Sequence, residues 1–170
     1  MKIVFLDAAT MGDVSFEPFE QLGEFVSYAT STPQEALERV KDADVVMINK
    51  VIVNKELIDA APSLKLICVA ATGVNNIDVD YAASKGIPVR NVAGYSTDSV
   101  AQHTFSLLLY LVEKMRYFDD YVKNGTYSKS NCFSCLDMIY PEIAGKTWGI
   151  IGMGAIGQKV AQIATVFGCK

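Results

Sequence analysis

Short apolar runs alternate with amphipathic stretches through the first half of the chain. The runs at residues 45–48 and 66–70 contain no polar alternation, which is typical of strands that helices cover on both faces. The apolar pattern predicts five strands, at residues 2–7, 25–29, 44–49, 64–71 and 88–92. Because helical stretches separate these strands, we predict the α/β class with a flavodoxin-like parallel sheet.

Two of the intervening stretches carry recognisable helix-end signals. Residues 33–40 begin with a proline, which favours the first turn of a helix. Residues 78–86 begin with acidic residues and end with lysine and then glycine, an order that suits the helix dipole and the C-terminal cap. We therefore predict a helix over each stretch.

A longer stretch, from residue 100 to about residue 122, contains neither glycine nor proline, and its middle is apolar on nearly every side. Ser96 or Thr97 can cap its start. This pattern predicts one long helix that is buried all round, either between domains or in a subunit interface. We therefore predict a homodimer through the helix at residues 97–123.

Residues 152–157 read Gly-Met-Gly-Ala-Ile-Gly, the glycine spacing of a dinucleotide-binding turn. An apolar run at 147–151, which we predict to be a strand, precedes the turn, and a helical pattern follows it. Gly152 would allow a tight turn, Gly154 a close approach of the pyrophosphate, and Gly157 close packing of helix on strand. The combination predicts dinucleotide binding. An ordinary glycine turn and a methyltransferase loop are the alternatives, although the latter usually lies near the start of its domain.

The patterns divide the chain into two predicted domains, at residues 1–94 and 95–170. The second would hold the long helix and the first strand and helix of a Rossmann domain. The acidic residue that holds the adenosine ribose normally lies about 20 positions after the glycine turn, so here it would fall beyond Lys170. We therefore expect the N-terminal part of a larger enzyme, and the choice between NAD and NADP stays open.

A candidate ligand site lies at the carboxyl edge of the predicted sheet. Residues 72–78 follow the fourth strand, where Gly73 would let successive N–H groups point outward and cradle a carboxylate. An ordinary turn with Asp78 as a helix cap is an equal alternative. Lys50 ends the third strand at the same edge and would either attract an anionic substrate or be a solvated lysine. His103 is the only histidine and has no readable acidic partner, so we predict a structural or interface role for it.

Composition excludes several functions. Of 170 residues, 51% are hydrophobic and 20% charged, which is enough for one well-filled core. A net charge of −4 argues against nucleic acid or an anionic membrane as a partner. No segment reads as a signal peptide or a membrane span, so we expect a cytoplasmic protein.

Cys132 and Cys135 have the spacing of a redox pair or half a zinc site, but without a second pair we predict two loop cysteines and no metal.

Four motifs, in a fixed order, carry a resemblance to a known family. They are residues 69–78 (VAATGVNNID), 85–89 (KGIPV), 94–104 (GYSTDSVAQHT) and 145–157 (GKTWGIIGMGAIG). With this order and spacing, the chain resembles the D-isomer-specific 2-hydroxyacid dehydrogenases. The third motif looks most like the glycerate dehydrogenase, or hydroxypyruvate reductase, branch. The resemblance implies a substrate domain followed by a nucleotide-binding domain.

The same resemblance implies roles for individual residues. Substrate carboxylate would be held by the backbone of Thr72, Gly73 and Val74, and Lys50 would face the substrate. The implied cofactor-binding residues are Gly152, Gly154, Ala155, Ile156 and Gly157 at the phosphates, Thr97 near the nicotinamide, and again Thr72.

The implied reaction is reversible hydride transfer between NAD, or NADP, and a small 2-hydroxy or 2-keto acid such as glycerate, hydroxypyruvate or glyoxylate. The family's catalytic arginine, glutamate and histidine belong to motifs that follow the glycine turn, so we predict no catalytic residue in this chain. By itself the chain would then bind the cofactor weakly or not at all and be inactive. The alternative is a non-catalytic ligand-binding or dimerisation module that derives from this family.

Overall fold

Five parallel strands form one sheet in the computed structural model, which describes residues 1–170. The strands are β1 (Lys2–Phe5), β2 (Glu24–Ser27), β3 (Val45–Ile48), β4 (Leu66–Val69) and β5 (Val89–Arg90). Their order, β2-β1-β3-β4-β5, is the flavodoxin-like order. The predicted fold class is therefore confirmed, and every observed strand lies within its predicted run apart from the first residue of β2.

The sheet belongs to the first of two compact units, Met1–Ala93 and Gly94–Lys170. Four helices and a 3₁₀ turn connect its strands. They are the turn Ala8–Met11, α1 (Glu17–Glu20), α2 (Pro33–Arg39), α3 (Lys55–Asp59) and α4 (Val79–Ser84). Apolar side chains fill both faces of the sheet: Val46 and Ile67 belong to one buried cluster, and Phe5 and Met47 to the other. This two-sided burial explains why the strand sequences do not alternate.

Side-chain caps fix the starts of the two predicted helices. Thr32 and Glu35 form a reciprocal capping box at α2. Asp78 caps α4 by accepting a hydrogen bond from the N–H of Tyr81 at 3.1 Å. Asp78 thus acts as the helix cap that the alternative interpretation of residues 72–78 assigned to it, and this cap does not involve the N–H groups of residues 72–74.

The second unit contains four helices: α5 (Thr97–Val112), α6 (Met115–Lys123), α7 (Thr126–Lys129) and α8 (Ala155–Val166). Its small core joins α5 to α8 through Ala101, Phe105, Val160 and Ala164. The ring of Trp148 packs against this core, with its centroid 4.8 Å from that of Phe105.

The prediction of one continuous helix over residues 100–122 is wrong, because Lys114 separates α5 from α6. Lys114 is the only non-glycine residue with a left-handed backbone, at φ 55°. A right-handed helix cannot include that conformation, which costs a non-glycine residue about 1–2 kcal/mol. After the break, Phe118 on α6 makes an edge-on contact with Tyr140 in the segment that follows α7. Neither glycine nor proline marks the break in the sequence.

In the single chain this stretch is only partly buried, so its burial between domains or in a subunit interface stays a prediction. On α5 only Ala101 and Phe105 are buried. Leu107 is 53% exposed and Leu111 66% exposed. α5 therefore carries more apolar surface than the core of its own unit buries.

The predicted strand at residues 147–151 is not formed as a regular strand. Only Lys170 pairs with this run. The N–H of Trp148 donates to the carbonyl of Lys170, and the N–H of Lys170 donates to the carbonyl of Lys146, both at 2.8 Å. A strand requires a continuous ladder of such bonds, and a single pair does not make one.

Cys132 and Cys135 lie in the irregular segment after α7, as predicted, and their thiols are free. The chain holds no group of three or more His, Cys, Asp or Glu side chains with the geometry for a metal ion. None of its helices combines the length and the apolar character needed to cross a membrane.

Candidate functional site

Strands β1, β3 and β4 end level with one another. Phe5 pairs with Met47, and Met47 pairs with Cys68, so the residues after each strand meet at one carboxyl edge. This is the edge at which open α/β sheets bind ligands, and the strand order reverses at β1 and β3.

A shallow cleft of about 220 Å³ opens at this edge. Its lining residues are Asn49, Lys50, Ala71, Gly73, Asn75 and Asn76. Two predicted substrate residues, Lys50 and Gly73, are therefore brought together, although 23 positions separate them in the sequence.

Thr72, Gly73 and Val74 form the turn beside the cleft. Their three successive backbone N–H groups donate to no acceptor within the protein. The side chain of Thr72 is engaged, because its hydroxyl donates to the carbonyl of Val92 at 3.2 Å. Val74 packs against the core of the sheet, whereas a Cβ on Gly73 would meet nothing within 4 Å. Free N–H groups beside open space are what a bound carboxylate requires.

Lys50 contributes a positive charge to the same cleft. Its side chain is exposed and takes part in none of the ion pairs of the chain. An unpaired ammonium group near unpaired N–H groups favours an anionic ligand over a neutral one.

Asp7 anchors the backbone that carries Lys50, and the sequence patterns did not single it out. Its side chain is buried, with 5% exposure. The carboxylate accepts hydrogen bonds from the N–H groups of Asn49, Lys50 and Val51, at 2.8, 2.5 and 3.0 Å. The available signal was an acidic residue at the end of the first strand, next to the point where the strand order reverses.

Asn76 links the two sides of the cleft and was also missed. Its amide nitrogen donates to the carbonyls of Asn49, at 3.3 Å, and Val51, at 2.8 Å. In return, the N–H of Val53 donates to the carbonyl of Asn76 at 2.8 Å. The segments after β3 and β4 are thus tied to each other by hydrogen bonds.

A separate candidate site lies in the second unit, at the glycine turn before α8. Gly152 has a left-handed φ of 98°, and a Cβ on Gly157 would overlap the carbonyl oxygen of Gly152. A Cβ on Gly154, in contrast, would meet nothing within 4 Å. Internal packing therefore requires Gly157, whereas the space at Gly154 is open to an approaching group.

The amino end of α8 fits a pyrophosphate. Gly154 occupies the N-cap position, and no side chain caps the helix, so the amides of Ala155 and Ile156 stand at an uncapped, positively polarised helix end. Together with the open space at Gly154, this geometry suits the phosphates of a dinucleotide.

The other singled-out residues of the second unit lie on α5. Thr97 is its first residue and is half-buried. Asp98, next to it, pairs with Lys159 of α8 at 2.9 Å. His103 is exposed on the same helix.

Comparison with known proteins decides the family. The profile of the "D-isomer specific 2-hydroxyacid dehydrogenase, catalytic domain" family matches residues 3–166. The chain belongs to this family.

Relatives within the 2-hydroxyacid dehydrogenase family agree with the resemblance to its glycerate dehydrogenase branch. Glycerate dehydrogenase of Methylorubrum extorquens is 37% identical over 99% of this chain, and hydroxypyruvate reductase of Blautia hydrogenotrophica is 36% identical over 100% of it. In each case the match covers 54% of the relative, so the chain spans about half the length of these proteins.

A solved structure shares the fold. D-Lactate dehydrogenase from Aquifex aeolicus, complexed with NAD and lactic acid, superposes with a TM-score of 0.78 at 31% identity. The superposition covers 99% of this chain and 49% of the solved one. This 2-hydroxyacid dehydrogenase thus contains the architecture described above as about half of its chain.

Proposed function

We propose that this chain is the substrate-binding part, together with the start of the nucleotide-binding part, of an NAD(P)-dependent D-2-hydroxyacid dehydrogenase. The whole protein would interconvert a small 2-hydroxy acid and its 2-keto acid, such as glycerate and hydroxypyruvate, or glycolate and glyoxylate. The observation that carries this proposal is the cleft itself. Lys50, which has no ion-pair partner, and Gly73 line this cleft, and the N–H groups of the turn at Thr72, Gly73 and Val74 have no acceptor within the protein.

Within this proposal, the residues of the first unit bind and orient the substrate. The N–H groups of the turn would donate to the carboxylate oxygens, which fixes the acid by its charged end. Lys50 would add attraction for the anion and contact the remaining polar groups. A carboxylate fixed at one end leaves the adjacent 2-position in a defined place, which is the contribution of this unit to catalysis.

The glycine turn of the second unit would hold the dinucleotide. The amides of Ala155 and Ile156 would bind its phosphates, and Gly154 would let the backbone approach them closely. When bound, the nicotinamide supplies or accepts the hydride. Thr72 and Thr97 are the residues that we propose to lie near the cofactor, and we leave the choice between NAD and NADP open.

We further propose that the 170-residue chain has no dehydrogenase activity by itself. The resemblance implies that the family's arginine, glutamate and histidine belong to motifs that this chain does not span. Its single histidine, His103, lies exposed on α5. Steady oxidation of NADH by the purified chain in the presence of hydroxypyruvate would contradict this proposal.

The exposed apolar side chains of α5 and α6 support a homodimer. Leu107, Leu111 and Val122 are each more than half exposed in the single chain. We propose that a second copy covers them through residues 97–123, since such an apolar surface is a typical subunit interface.

A titration of the ¹⁵N-labelled chain with D-glycerate tests the substrate site. We expect saturable shifts of the amide resonances of Thr72, Gly73 and Val74. Lys50→Ala should weaken the affinity roughly two- to fivefold, as expected for one exposed ionic contact. The matched control is Lys41→Ala, which removes an exposed lysine that pairs with Glu38 outside the cleft. Shifts that avoid the turn, or equal effects of the two substitutions, would refute the site.

A further inference from the structure

A buried carboxylate supports one side of the cleft. Asp7 follows β1, and its carboxylate receives three consecutive backbone N–H groups, those of residues 49–51. A buried charge is costly unless hydrogen bonds compensate it. The segment that carries Lys50 therefore cannot shift without leaving part of this buried carboxylate unsatisfied.

Asn76 extends this constraint to the other side of the cleft. It lies two residues after Val74 and donates to the carbonyls of Asn49 and Val51. The same peptide segment, residues 49–51, thus gives its N–H groups to Asp7 and two of its carbonyls to Asn76. The positions of Lys50 and of the turn at residues 72–74 become dependent on each other.

We propose that Asp7 and Asn76 are positioning residues, which hold Lys50 and the N–H groups of residues 72–74 at the separation that one substrate carboxylate requires. Neither side chain needs to touch the substrate. The inference rests on the proposed function, because that function supplies the carboxylate.

Two substitutions separate this role from a general contribution to stability. Asp7→Asn keeps the size of the side chain but replaces one acceptor oxygen by an N–H₂ group, which must face a backbone N–H. Asn76→Ala removes both bonds to the segment at residues 49–51 and disturbs no buried charge, so it keeps the test valid if Asp7→Asn fails to fold. The matched control is Val45→Ala, a truncation in the buried cluster on the other face of the same sheet, which includes no residue of either segment.

The first measurement uses the ligand-free chain. Amide chemical shifts should change at both segments, residues 49–51 and 72–76, in each of the two variants. Hydrogen exchange should accelerate roughly five- to tenfold at residues 49–51, whose N–H groups donate to Asp7, because one lost hydrogen bond favours a local opening. Val45→Ala should spread its effects over the sheet core without singling out these segments. If Asp7→Asn or Asn76→Ala changes only its own side of the cleft, the proposed coupling is overturned.

The second measurement is the affinity for D-glycerate, followed at Gly73. We expect Asp7→Asn and Asn76→Ala to raise the Kd roughly fivefold or more, and Val45→Ala to leave it within about twofold. Wild-type affinity in both folded variants would overturn the positioning role while leaving the proposed function intact. If the wild-type chain itself shows no saturable shift at the turn, the proposed function fails together with the substrate role inferred here.

Discussion

Replacing Gly157 with alanine tests whether this glycine serves the packing of α8 rather than the cofactor. A Cβ at this position would overlap the carbonyl oxygen of Gly152 and come within 3.1 Å of its carbonyl carbon. Both atoms belong to the backbone, so no side-chain rotation can relieve the contact. Either the glycine turn must open or α8 must move away from it.

The size of the effect follows from two opposing terms. Overpacking of a closed contact typically costs about 1–3 kcal/mol. Alanine is favoured over glycine within a helix by about 1 kcal/mol, and Gly157 is the third residue of α8. Since the contact cannot relax locally, we expect the overpacking to dominate. The two contributions leave a net destabilisation of the second unit of up to about 2 kcal/mol.

Trp148 provides the assay, because it is the only tryptophan and packs against Phe105 in the core of the second unit. Its fluorescence during urea unfolding reports on this unit alone. The matched control is Gly149→Ala, where a Cβ would meet nothing within 4 Å and should change stability by less than about 0.5 kcal/mol. If Gly157→Ala and Gly149→Ala unfold at the same urea concentration as the wild type, the packing argument is refuted.

Three further outcomes are expected. Gly154→Ala should cost less than about 1 kcal/mol of stability, because the position is open, but should abolish any NADH binding that the wild-type chain shows in an NMR titration. Undiminished binding would contradict the pyrophosphate site. Leu111→Glu should convert the proposed homodimer, of twice 18.5 kDa, into a monomer by light scattering, whereas Ile52→Glu, which alters an equally exposed apolar residue (68%) of the other unit, should leave the proposed dimer intact. A hydrogen bond from Lys85 holds the pKa of Asp59 below its ordinary value, so this contact stabilises the fold above about pH 4 and is lost as the pH falls through the folded-state pKa. Asp59→Asn should therefore lower the Tm near pH 6 and have a smaller effect as the pH falls below about 4, and an undiminished effect at low pH would refute the linkage.

Sequence reasoning located the sheet because strands that are buried on both faces leave a strong local signal. The apolar run at residues 44–49 contains β3, and its neighbours were found in the same way. The start of α4 was equally readable, because Asp78 caps this helix by accepting a hydrogen bond from the N–H of Tyr81, only three residues away. These features depend on residues that are close together in the chain.

The errors concern features that distant residues decide. Lys114 interrupts the predicted long helix although neither glycine nor proline marks the break. Residues 147–151 have the composition of a strand, but their only backbone hydrogen-bonded pairing is with Lys170. Composition indicates which secondary structure a segment prefers. Whether a strand forms, or where a helix ends, also depends on the segments that pack beside it.

The candidate site also contains both kinds of feature, those that the local sequence indicates and those that distant residues decide. That Lys50 and Gly73 would share an edge followed from parallel strands alone, since the carboxyl ends of such strands point the same way. The role of Asp7 could not be read, because its hydrogen bonds reach 42 to 44 positions along the chain and depend on the register of β1 against β3. A shift of that register by one residue would turn Asp7 to the other face of the sheet and leave the amides of residues 49–51 without their acceptor. The pairing of two strands therefore determines the geometry of the cleft as much as the residues that line it.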